Sequence, residues 1–315
     1  MATRKAVDWL LEDDQPAIRY RTLTELLGRP ESDPDVREAK ARILRVGWAA
    51  EILARGAPAG WWDNAESHYV PKYLATNWQM LMLSDLGAGR EHPRVRRSVD
   101  WWRGWAKTRV GGKMPGQPHH CVVGNMARAL IRFGYADDPG VRKMLDWLVA
   151  TANPKGGWSC WGKGRNLDSW EGLSALAAYP PAKRTAGMQR VIETGAEFYL
   201  SRELHRQGDR YPPWYRFHYP VHYYYDLLVG LDLVTSLGHA SDPRLGFALR
   251  LLDKKRRADG RWNLDAVHPD VVGGMARWYR AHPKHRPTPV ALEVPGHASK
   301  MVTLTALKVR ARVGA

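Results

Sequence analysis

Asp138-Pro139-Gly140-Val141-Arg142, followed by Gly156-Gly157-Trp158 and then Asp168-Ser169-Trp170-Glu171, is one full copy of the pattern that decides the fold. The first element reads as a helix start. Asp offers a side-chain oxygen to the free N–H groups, and Pro at the first helical position loses no hydrogen bond. The second element is a glycine turn that ends the helix, with Trp plugging the loop. The third opens another helix, apolar at i, i+3, i+4 and i+7.

The helix start recurs at Asp33-Pro34-Asp35-Val36-Arg37 and His92-Pro93-Arg94-Val95-Arg96, with a variant at Asp242-Pro243-Arg244-Leu245. Asp14-Gln15-Pro16-Ala17-Ile18-Arg19 is a looser relative. The glycine turn recurs at Gly60-Trp61-Trp62 and Asp259-Gly260-Arg261-Trp262, with degenerate copies at Gly111-Gly112-Lys113 and Gly208-Asp209…Pro213-Trp214. Second helices are expected to begin near Thr76, Gly124, Asp168, Tyr225 and Ser299. Copies lie about fifty residues apart, the period of a helical repeat. No Val/Ile/Thr alternation bounded by hairpin turns is present, so strands are not expected.

The expectation is all-α: about twelve helices, or about six hairpins. Bulky Trp plugs and markedly apolar second helices favour a closed ring, an α/α toroid, over an open stack. Residues 1–315 read as a single domain, with residues 1–45 as a HEAT-like helical pair capping the ring.

Composition is compatible with this. The chain has 315 residues, 44% hydrophobic, enough for a large core, and a mean hydropathy of −0.48. It lacks an apolar run of the ~18 residues a membrane span needs. Asp8 falls where a signal peptide needs its apolar region, so a cytoplasmic location is expected. The two cysteines, Cys121 and Cys160, make no disulfide framework and fit a reducing compartment. A net charge of +16 attracts nucleic acid, anionic lipid or a phosphorylated ligand. The basic residues are nonetheless scattered, and only Lys254-Lys255-Arg256-Arg257 is a tight run. Fifteen Trp and thirteen Tyr against four Phe suit cavity walls or loop anchors better than dry cores.

The unit (Asp/His)-Pro-x-Val-Arg … Gly-Gly-Trp … Leu-x-x-Leu, over residues 33–311, resembles the repeat of squalene and oxidosqualene cyclases and of protein prenyltransferase β-subunits. The resemblance implies a toroid of hairpins around a central aromatic cavity for an isoprenoid-like ligand. It says less about chemistry, because similar rings occur in glycosidases, polysaccharide lyases, lanthionine cyclases and complement fragments. The cyclases use an Asp-x-Asp-Asp acid, which this chain lacks. Its nearest cluster, Glu12-Asp13-Asp14, lies at a helix start where Asp14 serves as a cap. The prenyltransferases bind zinc with Asp-x-Cys and a distant His. Here no Asp-x-Cys exists, although Cys121, Cys160 and His120 supply thiolate and imidazole, the ligands zinc prefers. Ordinary buried thiols are the competing reading.

In a ring, the starts of the second helices would share one mouth, where helix N-termini favour anions. The polar and aromatic residues there are the candidate ligand-binding set: Lys72, Tyr73, Asn77, Trp78, His120, Asn125, Trp170, His218, Tyr223, Tyr224 and Lys300. The candidate acid–base residues are Asp226, Asp168, Glu171 and His222. Asp226 follows three tyrosines without cap spacing, whereas Asp168 and Glu171 also read as the two ends of a capping box. Three functions follow from these residues. One is binding or conversion of an isoprenoid-like molecule. Another is carboxylate acid–base chemistry on a carbohydrate or peptide. The last is a non-catalytic scaffold holding protein or nucleic acid on a basic surface.

Overall fold

The helix starts and glycine turns fold as their chemistry dictates. Asp33 Oδ1 accepts the amides of Asp35 and Val36 at 2.8 and 3.4 Å, Asp138 that of Gly140 at 2.9 Å, and Asp242 that of Arg244 at 2.9 Å. At three glycine turns the chain makes the same closure. Gly60, Gly156 and Gly260 donate to Ala57, Asn153 and Arg257, which in turn donate to Trp61, Gly157 and Arg261. Those glycines hold φ of 102°, 81° and 85°, open to a residue without Cβ at no steric cost. The following indole N–H then reaches back ten residues to a helical carbonyl. Trp62 donates to Ile52 (2.8 Å), Trp158 to Leu148 (3.1 Å) and Trp262 to Leu252 (2.7 Å). All three rings are buried, and each buried N–H is satisfied.

The computed structural model describes residues 2–63, 65, 67–110, 119–160, 166–206, 211–222, 225–268 and 292–314. Among them are thirteen α-helices and no strand, so the chain is all-α as expected. They are α1 (Ala2–Leu10), α2 (Pro16–Arg21), α3 (Pro34–Arg42), α4 (Trp48–Arg55), α5 (Thr76–Asp85), α6 (Pro93–Val110), α7 (His120–Leu130), α8 (Pro139–Thr151), α9 (Glu171–Ala178), α10 (Ala186–Leu200), α11 (Leu227–Ser236), α12 (Gly246–Lys254) and α13 (Lys300–Val313). The degenerate turns at Gly111 and Gly208 lie outside the described residues.

The second helices pack on one another in succession: α5 on α7, α7 on α9, α9 on α11, α11 on α13, and α13 on α2. The Tyr20 ring of α2 lies beside Gly87, just past the end of α5. First helices flank them, with α4 and α6 on α5, α8 on α7 and α9, α10 on α9 and α11, and α12 on α11. This arrangement covers the second helices from several sides. All ten residues of α5 are buried. One hydrophobic cluster runs from Ala6 to Val309, and a small satellite of Leu23, Val36 and Ala39 joins α2 to α3. No described helix is long and apolar enough to cross a membrane.

Two start signals need correction. Gln15, not Asp14, occupies the N-cap of α2, and it makes no side-chain cap bond. Asp14 instead holds Lys300 Nζ at 2.6 Å. The helix after Asp168 begins at Glu171 with Trp170 as its N-cap and no capping side chain, so the capping box does not form.

The closest helix approach is at Gly124 of α7. A Cβ there would lie 2.5–2.7 Å from the Glu171 carbonyl and the Gly172 amide. Gly124→Ala is therefore expected to push α7 and α9 apart and cost about 1–3 kcal/mol in urea unfolding. Gly104→Ala, at an exposed helical site with open space around it, is expected to gain about 0.4–1 kcal/mol.

Candidate functional site

Charged residues embedded in otherwise apolar helices converge on a cavity of about 230 Å³. Every second helix contributes. Asp85 comes from α5, Arg128 from α7, Ser174 from α9, Asp232 from α11, and Lys308 and Arg312 from α13. Arg21 enters from α2, so residues 1–45 help to wall the cavity. Arg132 comes from the turn after α7, and His218 and Tyr219 come from the loop before α11. Apolar lining is supplied by Leu228, Leu233, Met301 and Val302.

Most of these charges have partners. Arg21 and Lys308 share Glu25 at 2.7 and 2.5 Å, Arg312 holds Asp232 at 2.7 Å, and Arg132 holds Asp85. Burial alone would raise the Asp85 carboxyl, but His222 and Arg132 outweigh it and hold Asp85 well below the usual carboxylate range. His222 Nε2 lies 3.0 Å from Asp85 Oδ2, and Nδ1 lies 3.2 Å from Arg128 Nη2. Guanidinium only donates, so Nδ1 accepts and the ring hydrogen sits on Nε2, facing Asp85. Burial lowers the His222 pKa and keeps the ring neutral in this tautomer.

Arg128 is different. It is buried and donates to Ser174 Oγ and Asn125 Oδ1, each at 3.1 Å, and it lies 4.8 Å over the Trp170 ring. It pairs with no carboxylate among the described residues. Burial, then the charge of Arg132, lowers its pKa to about 10. The Tyr219 hydroxyl, also buried in the cavity wall, has no hydrogen-bond partner among the described residues. Burial and then Asp85 push its pKa well up, so it stays a donor.

Asp226 also lines the cavity, but its oxygens are engaged. Its Oδ2 accepts the His218 backbone N–H at 3.0 Å and faces His218 Nδ1 at 2.5 Å, while Oδ1 accepts the Val229 amide at 2.8 Å. It is the N-cap of α11. The expectation that Asp226 lacks cap spacing is therefore corrected, and its oxygens are occupied in capping the helix and fixing His218.

The single shared mouth divides into separate groups. Trp170, His218 and Asp226 line the cavity, with His222 and Asn125 bonded to its Arg128. Lys72, Tyr73, Asn77, Trp78, His120 and Lys300 do not line it. Tyr73 donates to the His222 carbonyl at 2.6 Å, and Trp78 donates to the Tyr69 carbonyl at 2.7 Å. The Asn77 backbone N–H donates to the His68 carbonyl at 2.7 Å, and its side-chain Oδ1 is buried without a hydrogen-bond partner among the described residues. Lys300 is buried between Glu12 and Asp14 at 3.1 and 2.6 Å, tying the chain start to α13. Asp168 accepts the Trp214 indole at 2.7 Å. Tyr223 and Tyr224 lie outside the described residues.

Cys121, Cys160 and His120 do meet, with the Cys121 amide 3.2 Å from Cys160 Sγ. Among the described residues, however, no group of three His, Cys, Asp or Glu is arranged to hold a metal. The basic run is largely engaged in packing. Lys255 holds Asp265 at 2.6 Å, Arg256 lies over Trp262, and Arg257 donates to Asn263 at 2.8 Å.

No protein-family model matches the chain, and no curated protein matches it. It is similar to a solved structure described as "Crystal structure of a protein from Actinoplanes", at 17% identity and TM-score 0.48, covering 100% of this chain and 99% of that one.

Glu171 is fully buried, and neither carboxyl oxygen has a partner among the described residues. Burial, then Cys160, pushes its pKa well above the usual value. A raised folded-state pKa contributes stability below the unfolded value near pH 4.3, lost as pH rises toward the folded value. Glu171→Gln removes that loss. The variant is expected to be more stable than the parent at pH 7.5 by about 1 kcal/mol or more, and no more stable at pH 4, in urea unfolding.

Proposed function

We propose that this chain binds a small anion carrying a short apolar body in the cavity between its second helices. The observation that carries this reading is Arg128: a buried guanidinium in the cavity wall that pairs with no carboxylate among the described residues. Leaving a charge in that state costs stability, and an anionic ligand offsets the cost. The nearby Tyr219 hydroxyl supplies a further donor.

Size narrows the class. A cavity of about 230 Å³ exceeds the ~150 Å³ that admits benzene and falls below the ~300 Å³ where drug-sized pockets begin. A polycyclic isoprenoid is too large. A short-chain diphosphate or carboxylate suits both the arginine and the apolar wall of Leu228, Leu233, Met301 and Val302. This retains a prenyltransferase-like plan, in which α2, α5, α7, α9, α11 and α13 form the inner circle of a toroid. It leaves aside protonation-initiated cyclisation, whose Asp-x-Asp-Asp motif the chain lacks.

For chemistry on such a ligand, the wall offers His218 with Asp226 behind its Nδ1. A carboxylate in that position fixes the tautomer and supports positive charge on the ring, the arrangement of a general base. His218 is the proton-transfer residue in this reading, and Asp226 and His222 position its surroundings.

Isothermal titration calorimetry with inorganic pyrophosphate, dimethylallyl diphosphate and butyrate tests the reading. At least one anion is expected to bind with a Kd of about 100 μM or tighter, and Arg128→Met is expected to weaken it at least about tenfold. No binding of any of the three, or unchanged affinity in the variant, overturns it.

A further inference from the structure

A second constellation lies apart from the cavity, where the start of α7 meets the loop before α9. Cys160, half-buried, follows the Gly156-Gly157-Trp158 turn, and Cys121 is buried in the first turn of α7. The Cys121 backbone N–H, one of the unpaired donors at a helix start, points at Cys160 Sγ from 3.2 Å. That contact brings the first turn of α7 and the Cys160 side chain together. The His120 ring stacks on Trp147 with centroids 4.8 Å apart. His120 Nδ1 lies 3.3 Å from the Ser159 carbonyl, which only accepts, so Nδ1 carries the hydrogen and Nε2 is the basic nitrogen. The Cys160 amide donates to Ser169 Oγ at 3.1 Å and fixes the loop.

These contacts treat the two sulfurs unequally. Cys160 receives a backbone amide at the positive end of a helix, which favours a thiolate. Cys121 is buried, which favours its thiol form. The pKa directions agree. The neighbouring Cys121 and His120 hold Cys160 below the ordinary thiol range against its burial, whereas Cys121, beside Cys160 and buried, is raised.

We infer that Cys160 and Cys121 form a redox-active pair, in which a hydroperoxide oxidises the half-exposed Cys160 and the buried Cys121 resolves it to a disulfide. In the first step the Cys160 thiolate attacks the terminal peroxide oxygen. The O–O bond breaks, an alcohol leaves with one proton, and Cys160 becomes a sulfenic acid. In the second step the Cys121 sulfur attacks Cys160, the S–O bond breaks, and water leaves carrying the Cys121 proton. Two thiols lose two electrons, and one hydroperoxide is reduced to an alcohol and water. A dithiol reductant reverses the oxidation. The bond would fasten the start of α7 to the loop leading into α9, at the end of the most closely packed helix pair.

The test uses the full chain, first reduced and freed of reductant, then treated with tert-butyl hydroperoxide. Non-reducing peptide mapping by mass spectrometry is expected to show a Cys121–Cys160 cross-link within a monomer that dithiothreitol removes. Before oxidation, iodoacetamide at pH 6 is expected to label Cys160 at least about tenfold faster than Cys121. In Cys121→Ser, dimedone is expected to trap a sulfenic acid on Cys160. The wild-type map and labelling need no variant and decide the matter alone. Peroxide that leaves both thiols reduced, equal labelling rates, or oxidation of Cys160 with no cross-link to Cys121 overturns the inference.

Discussion

One buried carboxylate, Asp85, organises the centre of this molecule. An ionised carboxyl without water is stable only if its neighbours supply the lost solvation. Here Arg132 and His222 do so, and each belongs to a different part of the chain. Asp85 closes α5, Arg132 follows α7, and His222 belongs to the loop before α11. Through His222 the constraint extends further. Its ring accepts from Arg128 and its carbonyl from Tyr73. Changing the α5 terminus therefore bears on α7 and on two long loops at once.

Two further groups in the cavity wall lack matching partners among the described residues. Arg128 has neutral partners only, and Tyr219 has no partner among the described residues. A core selected only for stability would place apolar groups of similar size there. In the proposed reading, an anionic ligand in the cavity would supply what both groups lack. The hairpin scaffold explains the placement. Packing the second helices on one another brings polar side chains from each of them to one cavity.

Local chemistry made the scaffold readable. Asp138 with Pro139, and Gly156 with Trp158, encode a cap and a plug within short stretches, and both formed as their residue types require. Lys300 and Asp14 were misread because their pairing joins opposite ends of the chain, which no local pattern reports. Asp226 hid its cap because the capped amide is that of Val229, inside a run with no polar signal. The site itself was sought at helix starts. The residues that build it, Asp85, Arg128 and Asp232, are lone charges inside otherwise apolar helices, as in Leu231-Asp232-Leu233. That anomaly was visible in the sequence, but only the packing shows that the three charges border one cavity.

The measurement that bears most directly on this picture is the unfolding free energy of Arg128→Met in the absence of any ligand. If Arg128 is held in reserve for an anion, replacing it by an apolar chain of similar length relieves an unneutralised buried charge. Urea unfolding should then show a protein as stable as the parent or more so. A loss of about 2 kcal/mol or more would contradict this, because it would make Arg128 a structural element whose partners already satisfy it.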